Sequence, residues 1–347
     1  MNNSTELQTS LSDYGSVFTK NVLPVLYSVI FVVGLSLNGV AAWIFFRVPA
    51  ESGLVVYLKN MVVADLFMLG TFPFRIMSEL GLGSWYLPVI MCRYSAVLFY
   101  FSMYVGIIFI CFISLERYVK IIRHTPSPTA SSSCRPRFGV LCSLQLMQSS
   151  SFAWVLAFFT WSLLLLIVLP NVLLTNLPAN EQNSRDCMKL KTPLGKLWHK
   201  ASTFFFVSLF WLTLLVLAFC YTSIAHRLYK SYQRVRQDTS AVCRKSNRSI
   251  YSILAVFFIC FVPYHVFRIP YTLCQMTEFG FSWYSHFVLF QLKEATLFLS
   301  ALNVCLDPII YFLMCRIFRE SLLRKLSRKE RRSRSQTTTA VQSVSSI

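Results

Sequence analysis

Residues 259–268 read Ile259-Cys260-Phe261-Val262-Pro263-Tyr264-His265-Val266-Phe267-Arg268, which puts a proline, a histidine and an arginine inside an apolar run long enough to cross a membrane. A charged side chain near the centre of a bilayer costs about 2.5 to 3.5 kcal/mol on insertion scales. Such residues therefore face the interior of a helix bundle or a wet cavity and mark functional sites. Arg268 is accordingly our first candidate for a ligand contact.

The composition of the whole chain is that of a membrane protein. Of its 347 residues, 55% are hydrophobic and only 14% are charged, whereas soluble domains carry about 25% charged residues. Seven segments reach the roughly 20 apolar residues that are needed to span a bilayer. They are 22–46, 55–79, 89–122, 152–171, 200–225, 249–273 and 287–314. The sequence thus predicts an all-α membrane protein, a seven-transmembrane helix bundle.

The distribution of basic residues predicts the orientation of the bundle. Only Lys20 precedes the first span as a basic residue, whereas residues 315–347 contain nine lysines and arginines. Because basic residues near the spans stay on the cytoplasmic side, we expect an extracellular N-terminus and a cytoplasmic C-terminus at the plasma membrane. The same bias accounts for most of the net charge of +19, which makes anionic lipids a simpler partner than nucleic acid.

The segments outside the spans set the predicted domain boundaries. The first segment contains Asn2 and Asn3 in glycosylation sequons and lacks the apolar run of a signal peptide. A long intracellular loop is predicted at 123–151, either as a regulatory insertion or as an error in the gene model. The predicted domains are 1–21 extracellular, 22–314 transmembrane, 315–328 an amphipathic membrane-surface helix, and 329–347 a disordered cytoplasmic tail.

The chain has eleven cysteines, most of them in helices or on the cytoplasmic side, where thiols stay reduced. Three are expected outside, namely Cys92, Cys187 and Cys274. We predict a disulfide between Cys92 and Cys187, which would draw the loop that precedes the fifth span over the mouth of the bundle; three free thiols are the alternative. Cys274 is then left without a partner. Cys315 is a candidate for palmitoylation or a plain thiol.

Polar residues inside the spans predict a conformational switch. Asp65 lies in the second span, and Asn303 and Asp307 lie in the seventh. Two intramembrane carboxylates cannot both stay ionised cheaply unless a cation or proton lies between them. They form either a satisfied polar network that holds the helices in register or a switching or sodium-binding site. Glu116 and Arg117, at the end of the third span, form a candidate two-state lock.

A second group of polar residues is expected near the extracellular face. Tyr264, Arg268, Tyr271 and Gln275 recur at spacings of four, three and four, so they share one side of the sixth helix, with His265 adjacent. Other elements contribute further cations and two tyrosine rings. These residues are Lys191, His199, Lys200, Lys293, Tyr100 and Tyr104.

The cations of this group predict an anionic ligand. Arginine in particular suits the bidentate geometry of phosphate. For Lys191 and Lys200, a solvated charge in a loop is the alternative. Tyr100 and Tyr104 offer ring faces for a flat ligand group.

The chain resembles the rhodopsin-like G-protein-coupled receptors over nearly its whole length, from Leu37-Asn38-Gly39 to Asp307-Pro308-Ile309-Ile310-Tyr311. Within that class it resembles the purinergic group that responds to ADP and UDP-sugars. The shared motifs are Tyr57-Leu58-Lys59-Asn60, Leu98-Phe99-Tyr100, Leu190-Lys191-Thr192-Pro193-Leu194-Gly195, Trp198-His199, Phe261-Val262-Pro263-Tyr264-His265 and Arg268-Ile269-Pro270-Tyr271-Thr272. The resemblance implies nucleotide contacts at Tyr100, Asn171, Lys191, His199, Arg268, Tyr271, Gln275 and Lys293.

The resemblance also implies roles in activation. The positions assigned to the switch are Asp65, Glu116, Arg117, Tyr221, Phe261, Pro263, Asn303, Asp307, Pro308 and Tyr311. Glu116 replaces the aspartate of many family members and keeps its charge. Gly106 stands where the family usually has a hydroxyl that helps to hold sodium, which argues against a sodium site at Asp65.

The predicted function is that of a receptor for an extracellular phosphate-bearing ligand, a nucleotide or nucleotide sugar, that signals through heterotrimeric G proteins of the Gi class. It is not an enzyme, and no cofactor is expected. A lysophospholipid receptor is the alternative, and a transporter or channel is a remote one because no internal repeat is visible. Arrestin is a further expected partner, and Ser345-Ser346-Ile347 predicts a PDZ-domain partner.

Overall fold

Every regular element is helical in the part of the chain that the computed structural model describes, which comprises residues 15–124, 146–234, 240–275, 281–315 and 318–324. Seven helical segments in these ranges are long and apolar enough to cross a membrane. The predicted all-α bundle of seven spans is therefore confirmed. Asn2, Asn3, most of the predicted 123–151 loop and the C-terminal tail with Ser345-Ser346-Ile347 lie outside the described residues.

The seven spans are built from eight numbered helices, with a π-helical turn, Phe18–Val22, before the first. A short helix, Tyr86–Ile90, and a second π-helical turn, Met91–Ser95, lead into the third span. The helices are α1 Leu23–Phe45, α2 Gly53–Glu79, α3 Ala96–His124, α4 Ser150–Leu173, α5 Pro193–Arg234, α6 Ser240–Cys274, α7 Trp283–Ala301 and α8 Asn303–Met314. The seventh span consists of α7 and α8, which meet at Leu302, and a short helix, α9, follows at 318–324.

The third helix occupies the middle of the bundle. It packs against α2, α4 and α5, while α6 packs against α5 and α7, and α1 packs against α2 and α8. Aromatic rings fill much of the core; Tyr57 of α2 packs on Phe109 and Phe112 of α3, and Phe210 of α5 stacks on Phe257 of α6. The switch candidate Phe261 packs edge-on against Phe257 in the same core.

The fifth helix begins at Pro193 rather than at the predicted residue 200. Thr192 precedes it, and Thr192 Oγ1 accepts a hydrogen bond of 3.0 Å from the backbone N–H of Gly195. Threonine before a proline is a common start of a helix, because the hydroxyl satisfies a free N–H and proline lacks one. The predicted start was too late because it followed only apolar residues, and the predicted ligand residue His199 consequently belongs to α5.

The intramembrane polar residues form hydrogen bonds between α1, α2 and α8. Tyr311 Oη donates to Asp65 Oδ2 at 2.6 Å, and Asn303 Nδ2 donates to Asp307 Oδ2 at 2.6 Å. Asn38 Nδ2 donates to a backbone carbonyl of α8 at 2.6 Å. These bonds favour the network that holds helices in register. The switching and sodium-binding roles stay predictions.

Near the C-terminal end of α3, the predicted lock between Glu116 and Arg117 is not formed. Among the described residues no ion pair joins Glu116 to Arg117, and Glu116 Oε2 and Arg117 Nη1 are buried without a hydrogen-bond partner. Nearby, Ser114 Oγ and Tyr221 Oη are 2.9 Å apart and tie α3 to α5. The structure therefore has the released arrangement, and the held one stays a prediction.

The short helix α9 lies against the end of the bundle that carries Arg117. Its Phe318 ring stacks on Phe45 of α1, with centroids 5.2 Å apart. Cys315, just before it, is buried. Its thiol would have to turn outward to carry a palmitoyl group, so that modification stays a prediction.

Candidate ligand-binding site

A cavity of about 240 Å³ lies at the end of the bundle that carries the Cys92–Cys187 disulfide. Side chains of α2 to α7 line it, together with the loop between α4 and α5, here called the 174–192 loop. Ten of the eleven predicted ligand residues line it together. They are Tyr100, Tyr104, Asn171, Lys191, His199, Tyr264, Arg268, Tyr271, Gln275 and Lys293.

The predicted disulfide is present, and it covers the cavity with the 174–192 loop. Both Cys92 and Cys187 belong to the cavity lining. The loop is also tied by hydrogen bonds, because Arg93 Nη2 donates to the Leu177 carbonyl at 2.7 Å and the Leu177 N–H donates to the Leu190 carbonyl at 3.1 Å. The loop therefore holds its side chains over the cavity in a fixed position.

Lys191 is carried into the cavity by this loop. The side chain is only 5% exposed, so the alternative of a solvated loop charge is wrong for Lys191. Its Nζ donates to Thr175 Oγ1 at 3.0 Å, and Thr175 Oγ1 donates to the Asn171 carbonyl at 2.6 Å. Lys200, in contrast, does not line the cavity.

Arg268 is buried in the cavity wall and has an aromatic environment. Its guanidinium carbon lies 4.9 Å from the ring centre of Tyr100 and 5.9 Å from that of Tyr264. Of the carboxylates in the described part of the chain, none forms an ion pair with it. Ring faces attract a cation but do not neutralise it, so Arg268 presents an uncompensated charge to the cavity.

Lys293 differs from Arg268 although both were predicted to meet the ligand. Its ammonium bonds directly to Glu294, which bonds on its other side to Arg75 of α2. Arg75 also approaches Glu79 Oε1 at 3.9 Å. Arg75, Glu79 and Glu294 all line the cavity. Arg75 and Glu79 were not predicted as site residues. Arg75 is nevertheless an arginine inside a membrane span, and such a charge marks a functional site just as it does at Arg268.

His265 is the one predicted ligand residue outside the cavity lining. Its Nδ1 donates to the Phe261 carbonyl at 2.7 Å, its Nε2 lies 3.0 Å from Tyr104 Oη, and its ring stacks on Phe210 at 3.7 Å. It therefore supports the lining residue Tyr104 from behind. A ligand contact at His265 stays a prediction.

The chain matches the family model described as "7 transmembrane receptor (rhodopsin family)" over residues 37–311. The chain belongs to this family of receptors. The receptor is similar to purinoceptor 14 of Bos taurus. The two sequences are 48% identical over a region that covers 90% of this chain and 87% of the relative. It is 43% identical to G-protein coupled receptor 87 of Mus musculus, over 94% and 85% of the two chains. With purinoceptor 13 of Homo sapiens it shares 36% identity, over 87% and 80%.

Family membership confirms the predicted resemblance and decides the class of the protein. It is a G-protein-coupled receptor rather than an enzyme, and a multi-pass protein of the plasma membrane. Its partners are an extracellular small molecule and a heterotrimeric G protein.

Gly195, at the start of α5, allows the 174–192 loop to pack closely. A Cβ atom at Gly195 would lie 2.6 Å from the Leu174 carbonyl oxygen. We expect Gly195→Ala to lower the free energy of unfolding of the receptor by about 1 to 3 kcal/mol, because backbone must move to relieve the clash. The measurement is the thermal stability of the purified receptor. Gly70→Ala is the matched control, since nothing lies within 4 Å of its Cβ position, and a loss in both variants alike would contradict this account.

Proposed function

We propose that the receptor binds a nucleotide or a nucleotide sugar from outside the cell and activates a G protein of the Gi class. The Cys92–Cys187 disulfide belongs to the extracellular end of the bundle in this proposal, and the C-terminus belongs to the cytoplasmic side. The observation that carries the ligand class is Arg268, a buried arginine in the cavity wall that no described carboxylate neutralises.

The charge of Arg268 supports a phosphate ligand. A buried cation without a counter-charge is costly, and a phosphate oxygen in the cavity would remove that cost through charge-assisted hydrogen bonds. Lys191, on the 174–192 loop, adds a second ammonium to the same cavity. The two side chains are the proposed phosphate contacts.

The rest of the cavity favours a nucleotide over a lysophospholipid. Asn171 Oδ1 is buried without a hydrogen-bond partner, and an unpaired buried acceptor is costly. A nucleobase offers N–H donors to such an acceptor, whereas an acyl chain offers none. Tyr100 and Tyr264, whose rings stack with centroids 6.1 Å apart, supply aromatic surface for a base. The relatives named as purinoceptors support the same choice.

The size of the cavity bears on activation. Its volume of about 240 Å³ is below the range of about 300 to 1,000 Å³ that is usual for ligand pockets. A nucleotide sugar therefore requires the cavity to widen. In our proposal phosphate contact shifts Arg268, α6 pivots at Pro263, and the cytoplasmic end of α6 swings outward so that Arg117 meets the G protein. Arrestin and a PDZ domain are proposed as further partners of the cytoplasmic side.

A ligand screen in cells tests the proposal. ADP, UDP, UDP-glucose and lysophosphatidic acid are applied to cells that express the receptor, and inhibition of cyclic AMP formation is measured with and without pertussis toxin, which blocks Gi. We expect a toxin-sensitive response to at least one of the three nucleotides. A response to lysophosphatidic acid alone would establish the alternative ligand class, and a ligand-dependent current without G-protein activation would indicate a channel.

The pH dependence of binding provides a further prediction. Burial in the loop, together with the nearby Arg268 guanidinium, lowers the pKa of Lys191 to about 8. The ammonium is thus fully present well below pH 8 and is lost as the pH rises above it. We expect nucleotide affinity to fall by up to about tenfold between pH 7 and pH 9, as measured by radioligand binding to membranes. The variant Lys191→Arg keeps its charge over this range, so its affinity should stay nearly constant; an equal decline would contradict the role of Lys191.

A further inference from the structure

Two hydrogen bonds of His265 connect the cavity to the backbone of α6. His265 Nδ1 lies 2.7 Å from the Phe261 carbonyl, which can only accept, so Nδ1 carries a hydrogen and donates it. In the neutral ring Nε2 then has no hydrogen and acts as an acceptor. Its partner is Tyr104 Oη of α3, at 3.0 Å. The Tyr104 hydroxyl therefore donates to His265, and the two bonds form one chain from α3 to the α6 backbone.

The bond to Phe261 bridges the proline in the middle of α6. Pro263 lacks a backbone N–H, so the helix has one backbone hydrogen bond fewer at this turn. His265 and Phe261 lie on either side of it in the chain. Ser300 of α7 donates to the neighbouring Cys260 carbonyl at 2.8 Å. Side-chain bonds thus hold the turn at which α6 pivots in the proposed function.

Packing against α5 fixes both rings in the positions that their hydrogen bond requires. The imidazole ring of His265 is 1% exposed and stacks on Phe210 with centroids 3.7 Å apart. The Tyr104 ring stacks on Phe206 at 4.3 Å. Because neither ring can turn away without losing a stacking contact, the bond between Tyr104 and His265 depends on the present distance between α3 and α6.

A ligand in the cavity acts on this bond. Tyr104 lines the cavity, whereas His265 does not. Since the tyrosine hydroxyl has a single hydrogen, a ligand atom that accepts it leaves His265 Nε2 without its donor. A cavity that widens by movement of α6 away from α3 breaks the same bond. Arg117 Nη1 is still buried while the bond is intact, so the bond belongs to a form that does not present Arg117 to a G protein.

We propose that the hydrogen bond between Tyr104 and His265 restrains the receptor in its inactive form, with His265 as a positioning residue that transmits ligand binding from Tyr104 to the pivot at Pro263. A ligand that breaks this bond favours the conformation in which α6 has moved. The inference rests on the proposed pivot of α6 and on coupling to a G protein. It does not depend on the identity of the ligand, because it predicts a change of activity without any ligand.

Basal G-protein activation tests this restraint in the intact receptor. Tyr104→Phe keeps the ring and its stacking contact but removes the hydroxyl. His265→Asn keeps an N–H donor for the Phe261 carbonyl but is too short to reach Tyr104. We expect each variant to raise basal activation per surface receptor about fivefold, because the loss of one hydrogen bond shifts a conformational equilibrium by about that factor. A merely structural role would instead lower surface expression and basal activation together.

Three further variants provide the controls. His265→Gln places an acceptor near the position of Nε2, so it should keep basal activation close to that of wild type. The double variant Tyr104→Phe with His265→Asn should equal the single variants, because both remove the same bond. Ser102→Ala also removes a buried hydroxyl from α3, but this hydroxyl donates to the Leu98 carbonyl of its own helix. Its basal activation should be that of wild type.

Two results would overturn the inference. One is unchanged or lower basal activation in Tyr104→Phe at normal surface expression. The other is additive increases in the double variant, which would mean that the two side chains act separately. Raised basal activation in a receptor that responds to none of the nucleotides in the ligand screen would support the restraint while it refutes the proposed ligand class.

Discussion

Replacement of Arg268 by alanine should lower nucleotide potency by about a hundredfold or more while the receptor still reaches the cell surface. Removal of one partner from a buried, hydrogen-bonded charge pair costs about 2 to 5 kcal/mol, and a hundredfold corresponds to about 2.7 kcal/mol. Surface expression should persist because Arg268 forms no ion pair with a described carboxylate whose loss would unpair another charge. The measurement is a concentration–response curve for G-protein activation, with surface receptor quantified in the same cells.

Two variants control this result. Arg268→Lys keeps the charge but loses the bidentate geometry, so it should retain part of the potency. Lys189→Ala removes a cation from the same end of the receptor, but Lys189 is exposed and pairs with Asp186 at 3.7 Å, so potency should stay within about threefold of wild type. Unchanged potency in Arg268→Ala, at normal surface expression, would remove Arg268 from the site.

Loss of the disulfide should have the second largest effect. In Cys187→Ser the 174–192 loop loses its covalent tie to the start of the third span, and removal of a native disulfide typically costs about 2 to 5 kcal/mol. Because Lys191 is four residues away on the same loop and lines the cavity, binding should suffer along with stability. We expect surface expression to fall severalfold, and the receptor that remains should bind nucleotide at least about tenfold more weakly.

Cys274→Ser is the matched control for this variant. Cys274 is also buried near the same end of the bundle, but it forms no disulfide within the described residues. Its replacement should leave nucleotide affinity unchanged. Equal losses in Cys187→Ser and Cys274→Ser would indicate a general sensitivity to serine at this end, and normal binding by Cys187→Ser would contradict the assigned role of the loop.

The fold could be predicted because its main determinant is visible in composition. A membrane span needs an apolar run of a set length, and seven such runs stand out between basic and polar segments. The start of α5 was missed because a helix that extends past the membrane no longer depends on apolar residues, and Thr192 and Pro193 were the available signal. The predicted domain boundaries outside the described residues stay predictions.

The candidate site could be predicted where it depends on a single helix. Tyr264, Arg268, Tyr271 and Gln275 line one cavity because helical geometry alone places residues at those spacings on one side of α6. His265 was also predicted to contact the ligand, but it does not belong to the cavity lining. Its ring contacts Tyr104 and Phe210, and such contacts depend on how α3 and α5 pack against α6.

The pairing of charges could not be predicted from the sequence. Glu294 lies next to Lys293 in the chain, but its bond to Arg75 joins residues 219 positions apart. Only the rotation of α2 and α7 in the bundle brings them together. The sequence therefore suggested that Arg268 and Lys293 act alike. In the structure Glu294 neutralises Lys293, whereas no described carboxylate pairs with Arg268.

The central claim is that Arg268 and Lys191 neutralise the phosphates of the ligand, and a structure of the receptor with its nucleotide agonist bound tests it most directly. The account predicts phosphate oxygens within hydrogen-bond distance of the Arg268 guanidinium and the Lys191 ammonium, with Glu294 still bonded to Arg75 and Lys293. Phosphates that lie beyond the reach of both Arg268 and Lys191 would contradict it.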